Sequence, residues 1–242
     1  MEIRKAIVVG ASSGIGAAIA RQLAAEGADV AILGRREAHL QEVARDNARL
    51  RVYEHDVEQT DTIAPLWERI VEELGDVDTV VYAAGVLHIV DEHEYDFDKD
   101  RQMVAVNLIG AIAWLNLAAA RFEAKKRGNI VGISSVAGER GRRGNPAYCT
   151  SKAALSTYLE SLRNRCSRYG VNVVTAKPGF VDTEMTRGKP VFWLISPERA
   201  ADETLALVKR NDSANGFVPS RWALLILIVR LIPSFLFRRL NV

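Results

Sequence analysis

The stretch Gly10-Ala11-Ser12-Ser13-Gly14-Ile15-Gly16 decides how the rest of this chain can fold. It follows the β-branched apolar run 6–9 and precedes the alanine-rich residues 17–26, which read as a helix ended by Gly27. A strand, a glycine-rich turn and a helix in this order let backbone amides meet the phosphates of a dinucleotide. The sequence therefore predicts a dinucleotide site at this turn.

The alternation of strand and helix continues along the chain. Apolar runs predict strands at residues 30–33, 50–53, 77–82, 129–133 and 171–176, and helical periodicity predicts helices at residues 37–47, 63–74, 98–124, 148–169 and 197–209. Continuously apolar strands belong to parallel sheets that are covered on both faces. We therefore predict an α/β fold, a single doubly wound Rossmann-type domain with a parallel sheet of about seven strands. It occupies residues 1–220, and a hydrophobic C-terminal helical tail, 221–242, extends the same domain.

The amino-acid composition indicates a globular protein and argues against several classes of function. The 242 residues are 48% hydrophobic and 26% charged, with a net charge of +2, which is typical of a globular protein and gives no case for nucleic acid. Two cysteines and four scattered histidines predict a reducing compartment and no metal site. No signal peptide is evident at the N-terminus, so we expect a cytoplasmic protein, with peripheral contact to the inner face of the membrane as an option for the tail.

Tyr148 and Lys152 are the candidate proton-transfer pair. Residues four apart share one face of a helix, so the phenol and the ammonium would be neighbours. A nearby positive charge favours the phenolate and lowers the pKa of a tyrosine, which suits acid/base work on an alcohol or carbonyl oxygen. Taken alone, this spacing also occurs in ordinary solvated helices.

Arg35 is the candidate that sets the choice of cofactor. It follows the second strand, where a site for NAD(H) would carry an acidic residue for the ribose 2′-hydroxyl, whereas an arginine accommodates a 2′-phosphate. Arg35, with help from Ser13 or Arg36, therefore favours NADP(H) over NAD(H). The alternative is a pair of solvated loop charges. Asp56 and Val57 end the third strand, where they would meet the adenine.

Together these motifs resemble those of the short-chain dehydrogenase/reductase family, in its single-domain branch. The resemblance covers about residues 5–210 and is carried by Gly10-x-x-x-Gly14-x-Gly16, Asp56, Ala84-Gly85, Asn107, Ser135, Tyr148-x-x-x-Lys152 and Pro178-Gly179. It implies an NADP(H)-dependent oxidoreductase that interconverts a ketone or aldehyde and an alcohol by hydride transfer. It also implies a homodimer or homotetramer.

The resemblance assigns a role to each candidate catalytic residue. Tyr148 would protonate the substrate oxygen in reduction, and Lys152 would lower the pKa of Tyr148 and hold the nicotinamide ribose. Ser135 would hydrogen-bond the substrate oxygen, and its thirteen-residue distance from Tyr148 favours it over Ser134. Asn107 would fix a kink in its helix and a water that relays protons. A rival function is a cofactor-binding scaffold without catalysis, which would not need this set.

The cofactor would meet a larger set. The residues that the resemblance implies for it are Gly10, Ser12, Ser13, Gly14, Ile15, Gly16, Arg35, Asp56, Val57, Ala84, Gly85, Tyr148, Lys152, Pro178, Gly179, Val181 and Thr183. Two positions depart from the family pattern. Val9 replaces the usual Thr before the first glycine, and Tyr82-Ala83 replaces the usual Asn-Asn after the fourth strand. In the family these polar groups tie the two loops together. Because both are replaced in this chain, neither leaves a polar group without its partner.

The last part of the chain leaves two questions open. The resemblance implies that the segment between Thr183 and Pro197 selects the substrate. Within it, residues 191–195, Val-Phe-Trp-Leu-Ile, would cover an apolar substrate or close the core. The tail is the most apolar part of the chain, but Arg230 and Pro233 interrupt it, so we expect it not to span a membrane. It would lie on anionic lipid or pack in a protein interface, as a dimer contact or a lid.

A narrower resemblance concerns the substrate. The run from Ser134 to Arg143 and the tail resemble the reductases that act on lipid-linked keto-sugars, such as decaprenylphosphoryl 2-keto-pentose. Arg140, Arg142 and Arg143 would then suit a phosphate-bearing substrate. The alternative is a solvated loop.

Overall fold

Parallel strands form the centre of the protein. In this computed structural model, which describes residues 2–188 and 191–240, the strands are β1 (Lys5–Val9), β2 (Asp29–Gly34), β3 (Leu50–Glu54), β4 (Thr79–Tyr82), β5 (Gly128–Ile133), β6 (Val171–Pro178) and β7 (Asn215–Val218). They form one seven-stranded sheet in the order β3-β2-β1-β4-β5-β6-β7, and every neighbouring pair is parallel.

Helices cover both faces of the sheet. They are α1 (Gly14–Ala25), α2 (Glu37–Ala44), α3 (Ile63–Leu74), α4 (Phe97–Val104), α5 (Gly110–Lys125), α6 (Pro146–Cys166), α7 (Pro197–Arg210), α8 (Trp222–Leu231) and α9 (Ser234–Phe237). Residues of α1, α2 and α7 form one core cluster with the sheet, and residues of α3, α5 and α6 form the other. Ile7 and Val8, on opposite faces of β1, are both fully buried. The predicted doubly wound α/β fold with seven parallel strands is confirmed.

The strand order reverses at β1. Its neighbours are β2 on one side and β4 on the other, and Val9 pairs in register with Tyr82. The loops that follow these two residues therefore leave the sheet at the same level and in opposite directions. A crevice opens at such a point, at the carboxyl ends of the strands, and it is where ligands bind in folds of this type.

The structure differs from the sequence predictions at a few boundaries. β7 was not among the stretches assigned from the sequence, because Asn-Gly-Phe-Val is short and only its last residue is buried. The predicted helix 37–47 ends at Ala44, where the backbone turns to place Asp46 at a φ of 59°. The predicted helix 98–124 is interrupted by a π-helical turn over Ala105–Ile109.

One helical stretch among the described residues, Phe97–Lys125, is long and apolar enough to cross a membrane by length and composition. Half of its most apolar window is buried inside the protein. Met103, Trp114 and Phe122 are fully buried in it. These contacts make it a core helix of the fold.

The tail is helical and folds back onto the domain. Ile232-Pro233 separates α8 from α9 because proline cannot continue a helix. Trp222 and Ile226 are buried, while Leu224, Leu227 and Leu231 on the other side of α8 are exposed. The division of the chain at residue 220 stays a prediction, and residues 241–242 of the predicted tail lie outside the described residues.

Candidate active site

A cleft of about 580 Å³ lies where the loops after β1 and β4 separate. Most of the residues predicted for the site line it: Gly10, Ser12, Ser13, Gly14, Ile15, Gly16, Arg35, Val57, Ala84, Gly85, Ser135, Tyr148, Lys152, Pro178, Gly179, Val181 and Thr183. Asp56 and Asn107 are not among the lining residues. The structure therefore brings together both ends of the predicted site, with the glycine-rich turn at one end and Tyr148 at the other.

The glycine-rich turn packs directly against the loop after β4. Gly10 has a φ of +88°, and a Cβ there would lie 2.3 Å from the backbone nitrogen of Ala84. A Cβ at Gly16 would lie 2.2 Å from the carbonyl oxygen of Gly10. Both positions therefore require glycine, because real atoms cannot approach so closely.

The two departures from the family pattern are filled by apolar packing. Val9 is fully buried, and its carbonyl oxygen accepts a hydrogen bond from the amide of Ala83 at 2.8 Å. Tyr82 is also fully buried and donates its hydroxyl to the carbonyl oxygen of Val106 at 2.6 Å. Backbone contact thus joins the two loops in this chain.

Asn107 lies in the π-helical turn, fully buried behind the cleft. Its side-chain amide donates to the carbonyl oxygen of Val86 at 3.0 Å and to the hydroxyl of Ser151 at 3.0 Å, and its oxygen accepts from the amide of Val86 at 2.8 Å. Asn107 therefore fixes the loop after β4 to helix α6. The predicted irregularity in this helix is present at Asn107, while a proton-relaying water there stays a prediction.

Ser134 and Ser135 follow β5 and have different surroundings. The hydroxyl of Ser134 donates to the carbonyl oxygen of Lys152 at 2.9 Å and lies 2.7 Å from the hydroxyl of Ser156. The hydroxyl of Ser135 accepts from the amide of Ala137 at 3.1 Å, and its own donation to the carbonyl oxygen of Pro178 is long, at 3.5 Å. Ser134 is therefore committed to helix α6, and Ser135 retains a donor for a ligand.

Tyr148 and Lys152 lie one turn apart near the start of α6. The Lys152 ammonium is 5.9 Å from the centre of the Tyr148 ring and donates to the carbonyl oxygen of Ile133 at 2.9 Å. Burial lowers the pKa of Lys152 to about 8. Burial also raises the pKa of Tyr148, and the Ser135 hydroxyl and the Arg142 charge offset part of this rise. Desolvation is thus the largest effect on the pKa of Tyr148, and a lowering of this pKa by Lys152 stays a prediction.

The other end of the cleft carries two arginines with different partners. Arg36 donates through Nη2 to the hydroxyls of Ser12 and Ser13, and its Nη1 lies 2.9 and 3.2 Å from the two carboxylate oxygens of Glu184. The nearest carboxylates to Arg35 are those of Asp56, at 3.9 Å, and Glu58, at 4.0 Å, and both distances are too long for a hydrogen bond. Arg35 is therefore the less committed of the two charges.

A family comparison agrees with this geometry. The model described as "short chain dehydrogenase" matches residues 4–190. The chain belongs to the short-chain dehydrogenase family. Family membership makes it an oxidoreductase with a nicotinamide cofactor and a small-molecule substrate.

Individual relatives cover nearly the whole chain. An uncharacterized oxidoreductase of Myxococcus xanthus (strain DK1622) is 36% identical over 235 residues, covering 92% of this chain and 92% of that protein. An uncharacterized oxidoreductase of Mycobacterium tuberculosis (strain CDC 1551 / Oshkosh) is 33% identical over 243 residues, covering 97% and 96%. A solved short chain dehydrogenase/reductase family protein superposes with a TM-score of 0.80 at 29% identity, covering 90% of this chain and 97% of that one. A putative betaketoacyl-ACP reductase superposes with a TM-score of 0.77 at 28% identity, covering 89% and 95%.

The cleft of this short-chain dehydrogenase fits a nicotinamide cofactor. The side chain of Ser13 does not cap helix α1, which leaves the first backbone amides of the helix for an anion. A Cβ at Gly85 would lie 3.3 Å from the Asn107 side-chain oxygen and 3.4 Å from the Lys152 ammonium, so glycine keeps this space open. Within the described residues Lys152 donates one hydrogen bond, and an ammonium has three donors, so two remain for ribose hydroxyls.

Several residues of the short-chain dehydrogenase cleft were not predicted from the sequence. They include His55, Val86, His88 and Phe180. Trp222 of the tail was also missed: its indole lies against Gly179, where a Cβ would be 2.0 Å from the indole nitrogen. No pattern in the sequence links Trp222 to Gly179, because the two are brought together by the return of the tail. The glycine at position 179 is the one sequence signal of this contact, because it indicates that another group lies close to the backbone there.

The segment expected to select the substrate is an aromatic cluster that borders the cleft. Phe192 and Trp193 pack at 5.4 Å from each other and at 5.4 and 5.5 Å from Trp222. Phe180, which lines the cleft, is 5.6 Å from Phe192 and 5.7 Å from Trp222. Lys189 and Pro190 of the same segment lie outside the described residues. The side chains of Phe192 and Trp193 are 54% and 41% exposed, so they do not close the core.

Proposed function

We propose that this protein is an NADP(H)-dependent oxidoreductase that interconverts a ketone or aldehyde and the corresponding alcohol. The observation that carries the proposal is the meeting of Ser135, Tyr148 and Lys152 in one cleft with the glycine-rich turn. A scaffold that only binds the cofactor would need the turn, but it would not need a serine, a tyrosine and a buried lysine directed to a common space. A catalytic function therefore accounts for the serine, the tyrosine and the lysine, which a cofactor-binding scaffold would not need.

The roles follow from the surroundings of each side chain. The cofactor supplies the hydride when it is bound. Tyr148 keeps its proton at neutral pH because burial raises its pKa, so it is ready to protonate a substrate oxygen in reduction. Ser135 donates to the same oxygen as charge develops on it. Lys152 holds the ribose with its remaining donors, and Asn107 positions the loop at Val86.

The preference for NADP(H) rests on Arg35. Its side chain is 48% exposed, and its nearest carboxylates, at 3.9 and 4.0 Å, are beyond hydrogen-bond distance. A 2′-phosphate would offer it short charge-assisted hydrogen bonds in their place. Asp56, predicted to meet the adenine, accepts from the amide of Glu58 at 3.0 Å and stands beside the same site.

Arg35→Asp is expected to lower the ratio of kcat/KM for NADPH to that for NADH by about 10–100-fold. Losing a charge-assisted hydrogen bond costs about 1.5–3 kcal/mol, and the new carboxylate repels the phosphate. The measurement is steady-state kinetics with both cofactors and one carbonyl substrate. Arg45→Asp is the matched control, because Arg45 pairs with Glu42 on the surface outside the cleft. An unchanged ratio in Arg35→Asp would remove Arg35 from the account.

A second candidate function is a reductase of a lipid-linked keto-sugar at the membrane surface. It is supported by the tail, whose exposed side holds Leu224, Leu227, Ile228, Leu231 and Phe235, between 52% and 73% exposed. Residues 221–240 contain four arginines and no acidic residue. A contact between two identical tails would place like charges against each other, whereas an anionic lipid surface complements them. We therefore favour lipid as the partner of this side of the tail, at the cytoplasmic face of a membrane, while a homodimer or homotetramer would use other surfaces.

Leu231→Asp is expected to reduce co-sedimentation with phosphatidylglycerol-containing vesicles by about tenfold or more. The substitution puts a charge where an apolar side chain would enter the lipid, and it also opposes the anionic headgroups. Ile89→Asp is the matched control, since Ile89 and Leu231 are both 73% exposed and only Leu231 belongs to the tail. Vesicle binding should be measured in parallel with the molecular mass in solution.

The contrary outcomes are distinct. If wild-type protein and Leu231→Asp remain in the supernatant alike, the tail has no lipid function. If Leu231→Asp instead converts an oligomer to a smaller species, the exposed side of α8 is a protein interface.

A further inference from the structure

The three arginines after the active serine have different environments. Arg140 donates to the carbonyl oxygen of Val229, and its guanidinium lies 3.9 Å from the centre of the Phe237 ring. Arg143 lies 3.4 Å from a carboxylate oxygen of Glu92 and contacts the carbonyl oxygen of Arg238. Both are thus engaged outside the cleft. Arg142 alone of the three lines the cleft that holds Tyr148.

The charge of Arg142 has no partner within the part of the chain that the structure describes. No carboxylate there lies within 4.0 Å of its guanidinium, and its Nε is buried without a hydrogen-bond acceptor. Glu139, three residues earlier, is already engaged by Lys177 at 2.6 Å and by Arg230 at 3.6 Å. A buried donor left unsatisfied destabilises the protein, and more so when it is charged. The Nε of Arg142 is therefore free to donate a hydrogen bond to a ligand.

The end of the cleft near Tyr148 is lined by positive charge and by no acidic residue within the described part of the chain. Glu184 is the one acidic residue that lines the cleft within the described residues, and it is paired with Arg36 at the other end. The lining residues near Tyr148 include Lys152 and Arg142 but no carboxylate. His88 lies 2.6 Å from the side-chain oxygen of Gln102 and so has a partner of its own. An anion that entered here would meet positive charge without a competing acid.

The loop that carries Arg142 has room to adjust. Gly141 and Gly144 flank the two arginines, and a Cβ at either position would have no atom within 4 Å. Neither glycine is required by packing, so both leave the backbone freedom that a side chain would restrict. Arg142 can therefore follow a group whose distance from the reacting carbonyl differs between substrates.

We infer that Arg142 forms an anion subsite beside Tyr148, and that the substrate carries a carboxylate or phosphate in addition to its carbonyl or alcohol. This inference rests on the proposed function, because it assigns the substrate class of the same cleft. It also separates Arg142 from Arg140 and Arg143, which fasten the tail and the neighbouring loop. A guanidinium suits either anion, since its paired donors match two oxygens.

The kinetic test compares a series of straight-chain keto acids with their methyl esters, using NADPH. Wild-type enzyme should reduce at least one acid with a KM about tenfold or more below that of its ester, and Arg142→Gln should bring this preference close to one. Arg142→Lys should restore part of it. Arg143→Gln, from the same loop, should keep the wild-type preference. A shift in the pKa of Tyr148 would alter the kcat of acid and ester alike, so the ratio of KM values isolates the subsite.

A binding test does not depend on turnover. Inorganic phosphate should raise the Tm of the wild-type protein more than that of Arg142→Gln, while Arg143→Gln should respond like wild type. Equal KM values for acids and esters in wild-type enzyme, or an equal phosphate response in all variants, would overturn the anion subsite and leave the proposed reaction in place. If no acid or ester is reduced, the proposed function fails, and the phosphate response still decides for or against the subsite.

Discussion

Replacing Tyr148 by Phe is expected to lower kcat for carbonyl reduction by about 10²–10⁴-fold while leaving the affinity for NADPH within about twofold. The magnitude is that of a lost general acid in the transition state. The ring and its packing remain, so only the proton that meets the substrate oxygen is removed. The measurement combines steady-state kinetics with cofactor titration by fluorescence.

Tyr158→Phe is the matched control for this result. Tyr158 lies on the same helix, α6, and donates its hydroxyl to the side chain of Asn116 at 2.8 Å, outside the cleft. This variant should retain wild-type kcat. A Tyr148→Phe enzyme that kept more than about a tenth of the wild-type kcat would show that another group donates the proton.

Replacing Gly10 by Ala is expected to lower the free energy of unfolding by about 3 kcal/mol or more and to weaken NADPH binding at least tenfold. The added Cβ meets the backbone of Ala83 and Ala84 at 2.3–2.7 Å, so the two loops that form the cleft must move apart. Backbone atoms cannot turn away as a flexible side chain can. Denaturant unfolding gives the stability, and fluorescence titration gives the affinity.

Gly27→Ala separates this collision from the backbone term. Gly27 also has a positive φ, of 100°, but a Cβ there would have no atom within 4 Å. Its substitution should cost about 1–2 kcal/mol, which is the price of the left-handed conformation alone, and should leave NADPH binding intact. Equal losses of stability and affinity in both variants would mean that contact between the loops does not hold the cleft.

The fold was readable from the sequence because its signals are local. Apolar runs such as residues 6–9 are continuous where helices cover both faces of the sheet, and the glycines mark the first turn. β7 was not located, because an edge strand of four residues with one buried side chain leaves no periodic signal. Pro233, which was expected to interrupt the apolar run of the tail, also separates α8 from α9, because proline cannot continue a helix.

The sequence predicted which residues line the site, but it did not predict their pKa shifts or their contacts. Motif spacing placed Ser135, Tyr148 and Lys152, and the cleft contains all three. The rise in the pKa of Tyr148 was not predicted from the sequence, because desolvation depends on how deeply the helix packs. The different surroundings of Arg140, Arg142 and Arg143 were equally hidden, since three charges in one loop differ only once the tail has folded back.

The pair of Lys177 and Glu139 illustrates what sequence reasoning misses. The two charges lie 2.6 Å apart, and their side chains are only 8% and 6% exposed. Lys177 precedes Pro178 on β6, and Glu139 ends the short helical turn after Ser135. The pair thus joins two segments that line the cleft, and Arg230 of the tail reaches the same carboxylate. Such a contact between distant segments has no local pattern.

Hydride transfer from a bound nicotinamide cofactor to a carbonyl carbon in this cleft can be followed directly with an isotope. The most direct test incubates the purified protein with keto esters, keto acids and NADPH that carries deuterium at both C4 positions, and then analyses the products by mass spectrometry. We expect an alcohol that has gained a single deuterium on the former carbonyl carbon, and far less of this alcohol from Tyr148→Phe. Oxidation of the cofactor without a deuterated alcohol, or no reduction of any carbonyl compound, would contradict hydride transfer to a carbonyl carbon in this cleft.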